Sequence, residues 1–197
     1  DVCSSDLNGS VHVILEKGST EKAEVTVRGT DLSNVMTEVS NGKLSIRLRE
    51  GNYRNVQVEV KVYFKKIESV KASGSGKIEA LSPLKSDEIE IKLSGSGKFT
   101  GKVEAEEVSL KMSGSGGMTV SGTADNQEIS MSGSGNIKAE NLKGKNIEVR
   151  LSGSGNAKVW ATESINAKVS GSGVVRYKGN PDKITSKVSG SGKIRQL

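Results

Sequence analysis

Six basic residues recur at near-equal intervals: Lys71, Lys92, Lys111, Arg150, Lys168 and Lys187, with Ser130 filling the one gap in the series. Each stands two residues before a copy of the tetrapeptide Ser-Gly-Ser-Gly. Two residues earlier again, a second series reads Ser69, Glu90, Ser109, Glu128, Glu148, Asn166 and Thr185. A third, three residues past each tetrapeptide, reads Glu79, Thr100, Thr119, Lys138, Lys158, Arg176 and Arg195, basic in its last four members. If the repeat stacks, each series becomes a column. A column of cations matches a linear polyanion, such as an acidic polysaccharide or a host or cell-surface glycan. There is a plainer alternative. Stacked like charges repel by very roughly 1 kcal/mol per neighbouring pair in water before screening. The glutamates would relieve that diagonally, and the columns would then only keep the faces soluble.

Other residues with chemical potential are few. Trp160, the only tryptophan, points outward by parity, where it could stack on a sugar ring or cover a loop. Tyr177 has inward parity, and Tyr53 falls in a turn region. His12 is the only histidine and faces outward between Val11 and Val13, with no carboxylate or serine placed beside it by sequence. A Ser-His-Asp triad is therefore unsupported. Asp31, Asp87, Asp125 and Asp182 are scattered among turns, so the clustered carboxylates of polysaccharide-cleaving enzymes are missing. The Gly-rich calcium repeat needs Asp two residues after its last glycine, where this chain has Ile78, Phe99 or Ile137. There is no phosphate-binding loop. No enzyme activity, cofactor or metal is expected. Nucleic acid is a poor partner, since the net charge of +6 is modest and no aromatic platform accompanies the cations.

What must position these columns is the tetrapeptide. It occurs seven times, starting at Ser73, Ser94, Ser113, Ser132, Ser152, Ser170 and Ser189, with steps of 21, 19, 19, 20, 18 and 19 residues. A near-constant period of about 20 residues signals a stacked repeat. Gly-Ser runs usually make flexible linkers, but here apolar alternation enters and leaves each copy without changing phase. Val108, Leu110 and Met112 lead through Gly114 and Gly116 to Met118 and Val120. Period two is the strand period. Both glycines of each copy (Gly74 and Gly76, Gly95 and Gly97, Gly114 and Gly116, Gly133 and Gly135, Gly153 and Gly155, Gly171 and Gly173, Gly190 and Gly192) therefore face inward, and the serines face outward. An inward glycine fits where the backbone bends tightly or where another chain lies too close for a side chain. The serine hydroxyls are expected to bond between neighbouring turns; the alternative is that the row of hydroxyls faces a sugar chain or a partner subunit.

The fold expected is all-β: a single-stranded, right-handed parallel β-helix, a solenoid of flattened two-sheet coils closed by Ser-Gly-Ser-Gly tight turns. The right hand follows from the crossover preference of parallel strands. Opposite each tight turn a variable turn is expected, carrying Pro83, Gly101, Gly122, Asn126, Gly144 and Pro181 and absorbing the uneven steps. Apolar residues are 33% and aromatics 3% of the chain, too lean for a large globular core but suited to a narrow aliphatic one.

Three segments follow. Residues 1–7 match no strand pattern, resemble the translation of a sequencing adapter and are read as non-native; Cys3, the only cysteine, lies in them. Residues 8–66 are strand-rich first coils that also cap one end, with a hairpin at Asn41-Gly42 and the long alternation Val56, Val58, Val60, Val62. Residues 67–197 are the repeat array, with no visible cap after Leu197. A partner subunit or further chain would cover that end.

The seven tetrapeptides, each preceded by an aliphatic strand, together with the segment Asn41-Gly42-Lys43-Leu44-Ser45-Ile46 and the valine alternation, resemble the autotransporter-adhesin head domain (head GIN domain) family, found mainly in Bacteroidota. The resemblance covers residues 8–197. It implies a parallel β-helix without catalysis, export to the periplasm, outer membrane or cell surface, and adhesion. The expected function is a non-enzymatic surface adhesin or display protein, with acidic glycans as ligands of the outward cations. The alternative is a self-assembling envelope scaffold, a homo-oligomer with no external ligand. Membrane association would come only through a lost N-terminal signal or anchor.

Overall fold

The computed structural model describes residues 4–8, 11–51 and 55–197, the first segment by its backbone alone. Tyr53 and Cys3 lie outside the described residues. The strands, in chain order, are β1 (Ser4–Asn8), β2 (Val11–Lys17), β3 (Lys22–Arg28), β4 (Val35–Ser40), β5 (Lys43–Leu48), β6 (Gln57–Phe64), β7 (Ser69–Gly74), β8 (Lys77–Ala80), β9 (Leu84–Lys85), β10 (Glu88–Gly95), β11 (Lys98–Gly114), β12 (Gly117–Gly133), β13 (Asn136–Gly153), β14 (Asn156–Gly171), β15 (Val174–Lys178), β16 (Lys183–Ser189) and β17 (Lys193–Gln196).

The strands stack as coils of a β-solenoid. Segments before the tetrapeptide pair in parallel as β7–β10–β11–β12–β13–β14–β16. Segments after it pair in parallel as β8–β11–β12–β13–β14–β15–β17. These are called below the pre-bend and post-bend ladders. Inward residues from both ladders form one core: Ile91, Leu110, Ile129 and Val149 from the first, and Ile78, Phe99, Met118 and Ile137 from the second. Each of these is 0 or 1% exposed. Because the ladders share a core, their outer faces lie on different sides of the rod.

The tetrapeptides hold register from coil to coil, Gly95 opposite Gly74 and Gly114, and Ser170 opposite Ser152 and Ser189. Register shifts fall elsewhere, between Thr119 and Ser121, Lys138 and Lys143, and Gly144 and Asn146. The uneven steps are therefore absorbed away from the bends. The region opposite the bend is not the loop that its breakers suggest. In the middle coils it is continuous strand, because neighbouring rungs hold its backbone on both sides. The reversal of parity there is made by a two-residue corner, in which Glu106 and Glu107 both donate their amides to the Asp87 carbonyl at 2.9 Å.

The N-terminal end departs from a purely parallel helix. From β2 the chain leaves the stack to form β3, then β4, two antiparallel edge strands on β6 and β5 respectively. The coil β5–β6 then fills the space between these edges and the earlier coil β1–β2. The β4–β5 hairpin turns at Asn41 and Gly42, both at positive φ (50° and 71°), as two-residue hairpins require. Residues 4–8 also form a strand, against the expectation from their sequence. Their backbone lies between β5 and β7, and pairing of this kind needs no side-chain pattern. At the other end β16 is the last pre-bend rung. Ile184 and Val188 continue the inward columns of Ile165 and Val169 there, and are 51% and 41% exposed.

Candidate functional site

The bend is the device that lines up everything else. The first glycine of all seven copies has φ between +97° and +122°. A Cβ on Gly133 would stand 2.4 Å from the carbonyl oxygen of Gly114 in the preceding coil. The second glycine lacks the unusual φ but has the same obstruction, since a Cβ on Gly116 would lie 2.4 Å from the Gly97 carbonyl. These carbonyls come so close because they accept the ladder bonds: Ser115 and Gly116 donate to the Gly95 oxygen, and Ser134 to that of Gly114. The bonds that carry the ladder around the bend are thus backbone bonds. The serine side chains project into solvent, all fourteen exposed.

Constant bend geometry makes true columns of the flanking positions. Lys71, Lys92, Lys111, Ser130, Arg150, Lys168 and Lys187 are register partners in turn. Rungs stand about 4.8 Å apart, so the column runs for roughly 29 Å. Beside it lies the column of the first serines, from Ser73 to Ser189. Between the two runs a furrow of about 600 Å³ from Lys92 to Lys187. A smaller hollow of about 170 Å³ between Lys71, Ser73, Lys92 and Ser94 continues it. Its floor is the backbone of Leu93, Met112, Met131, Leu151 and Val169, whose side chains turn inward and are buried. One wall is aliphatic lysine and arginine stem ending in charge. The other is serine hydroxyl.

On the far side of the basic column the glutamates pair with part of it. Glu90 bridges two rungs, accepting from Lys71 at 3.0 Å and Lys111 at 3.2 Å. The Lys71 ammonium, then that of Lys111, holds its carboxyl below the usual range, against partial burial. Arg150 takes Glu148 at 2.7 Å and Glu128 at 2.9 Å. The diagonal relief expected from sequence is real for these three cations. Among the described residues, Lys92, Lys168 and Lys187 have no ion-pair partner, and they line the furrow with their charges unmatched.

Trp160 is not part of this furrow. It lies beyond the bend, on the post-bend ladder, opposite Lys143 in one neighbouring coil and Lys178 in the other. Both ammonium groups approach its ring, at 5.8 and 4.0 Å from the centroid. Lysine ammonium groups therefore already stack on the ring. Tyr177 packs half-buried against the core. His12 sits between two carboxylates, with Nε2 3.0 Å from Glu79 and Nδ1 3.6 Å from Glu59. The sequence hid this contact because Glu59 and Glu79 reach it from the neighbouring rungs β6 and β8. No group of three or more His, Cys, Asp or Glu side chains among the described residues is placed to hold a metal ion.

The whole architecture recurs in solved structures. A putative adhesin from Bacteroides fragilis superposes with a TM-score of 0.89 at 22% identity, over 100% of this chain and 93% of that one. A putative adhesin from Parabacteroides merdae gives 0.82 at 26% identity, over 100% and 92%. A putative lipid binding protein from Parabacteroides distasonis gives 0.77 at 26% identity, over 100% and 93%. No curated protein matches the chain. Residues 6–181 match the family described as "Putative auto-transporter adhesin, head GIN domain", and the chain belongs to that family.

Proposed function

We propose that the protein is a non-enzymatic adhesin of the cell surface that holds a linear acidic polysaccharide lengthwise in the furrow of the pre-bend face. Membership of an adhesin family implies an exported protein of the surface or envelope. No helix among the described residues is long and apolar enough to cross a membrane. The observation that carries the reading is the furrow's two-sided chemistry. Lys92, Lys168 and Lys187, without ion-pair partners among the described residues, stand along one wall, hydroxyls along the other, and strand backbone with its Cα–H groups forms the floor. A sugar ring laid flat would put its apolar face on the floor, its hydroxyls toward the serines and its carboxylates toward the cations. Each contact is weak and exposed, about 1 kcal/mol or less. Affinity would therefore come from many regularly spaced contacts on a rigid support.

The test is binding of polygalacturonate by the parent and by the triple variant K92E/K168E/K187E. Among the described residues these three lysines have no ion-pair partner, so reversal breaks no bridge there and the melting temperature should hold. Losing three contacts of that size predicts that the furrow's affinity falls by tenfold or more. A variant that binds like the parent would remove the furrow's role. A second reading has two observations in its favour. The furrow's surface is largely apolar, and one similar structure is named a putative lipid binding protein. Fatty-acid binding without polygalacturonate binding would select it.

A further inference from the structure

We infer a second polyanion-binding surface on the post-bend face of the last four coils, which makes the rod bivalent for acidic polysaccharide. Charge is distributed unevenly along the stack. Residues 136–197 hold 12 of the 29 Lys and Arg but only 4 of the 23 Asp and Glu, a net charge of +8. Residues 67–135 hold 7 and 10, a net charge of −3. Pairing sharpens the contrast. Five of the seven lysines in the middle region are in ion pairs (Lys71, Lys77, Lys85, Lys102 and Lys111). In the last region only Lys145, Arg150 and Lys158 are, among the described residues.

The surplus is organised. Lys138, Lys158, Arg176 and Arg195 are register partners in successive rungs, a ladder of four cations at about 4.8 Å intervals. Lys143 and Lys178 extend it sideways across Trp160, which buttresses both ammonium groups. Among the described residues Glu140 is the one carboxylate bonded to this set, 3.5 Å from Lys158. On the bend side the adjacent column begins with Asn136 and Asn156, bonded to each other at 3.2 Å, and continues through Val174 to a further cation, Lys193. Four stacked like charges, of which only Lys158 has a carboxylate partner among the described residues, repel one another, and a bound anion would relieve this. The arrangement is linear, and the arginines present planar donor forks suited to carboxylate or sulfate. That fits a strand of acidic polysaccharide laid along the rod axis. Trp160 then serves as a spacer that holds two lysines apart, and not as a sugar platform. This face is separated from the furrow by the core, so a second strand would occupy it. The face stands on its own residues; the bivalency rests on the furrow reading as well.

The experiment compares the parent with K138E/R176E/R195E and with K92E/K168E/K187E. The readouts are affinity and stoichiometry for heparin and light scattering on mixing near equivalence. Thermal melts check that each variant is folded. The expected result for each triple variant is that one of the two heparin sites weakens by about tenfold, seen as a halved stoichiometry at the parent's affinity. The parent cross-links heparin into large scatterers, and neither variant does. If K138E/R176E/R195E binds and scatters like the parent, the second surface is overturned whatever the furrow variant does. If only that variant loses heparin binding and the furrow variant binds like the parent, the second surface stands and the furrow reading fails. Binding of the parent to vesicles of anionic phospholipid with none to heparin would also overturn the inference.

Discussion

At the scale of single residues, stability turns on glycines and on carboxylates that bridge rungs. The first glycine of a bend needs positive φ and has a carbonyl where its Cβ would go. Gly133→Ala should cost roughly 3 kcal/mol by chemical denaturation, a strained backbone plus a displaced ladder. Ser134→Ala, beside it but exposed, should fall within about 0.5 kcal/mol of the parent. Glu90, Glu104 and Glu79 are held below their ordinary value of 4.5, chiefly by Lys71, Lys85 and Lys77 respectively. A carboxylate whose folded pKa is lowered stabilises the fold above its unfolded pKa. That contribution disappears as pH falls through the lowered value. Stability should therefore decline on acidification below about pH 4.5. Glu90→Gln should destabilise by about 1 kcal/mol at neutral pH, leaving Lys71, Lys92 and Lys111 stacked without relief. The gap to the parent should close in acid, where Glu90 is itself neutral. Some of these residues are invisible to a reading of periodicity. Gln127 is 3% exposed at an inward position, bonded to the Leu142 carbonyl at 3.1 Å. Its amide fits only because the next coil has Gly144 there. That complement joins residues 17 apart that no motif links.

At the scale of elements, the coil tolerates change at one edge and not at the other. The step from Ser132 to Ser152 is 20 residues against 19 for the two before it, and the extra residue is taken up between Lys138 and Asn141. Deleting Asn141 returns that coil to its neighbours' length and should lower the melting temperature by only a few degrees. Deleting Ser134 shifts the parity of everything after it relative to the core, and that variant should fail to melt cooperatively. Inward glycines, outward serines and the charged columns were legible in the sequence because a two-residue alternation survives any number of identical bends. The hairpin at Asn41-Gly42 was legible because its turn chemistry is local. The antiparallel cap was not. Its order along the stack, with β5–β6 inserted between β1–β2 and the edge strands, is set by which backbone slots remain open, and no residue pattern records that. The strand at residues 4–8 was missed for the same reason. The separation of Trp160 from the lysine column needed only the bend between them, but a linear reading does not show which side of the rod each ladder faces.

At the scale of the whole molecule, the rod is a support that repeats weak contacts at fixed distance. Its cations crowd into the coils of residues 136–197 while the middle coils neutralise their own. Association with polyanions should therefore weaken steeply with salt, since exposed charges are screened over about 10 Å at 0.1 M ionic strength. The lengthwise geometry makes a stronger demand, because affinity must depend on how many rungs a ligand reaches. The most direct test is calorimetric titration with oligogalacturonates of graded length. Affinity should rise steadily with chain length and level off once an oligomer spans the roughly 29 Å of the furrow column. An affinity that is already complete for a short oligomer, or the absence of binding at every length, would contradict the account.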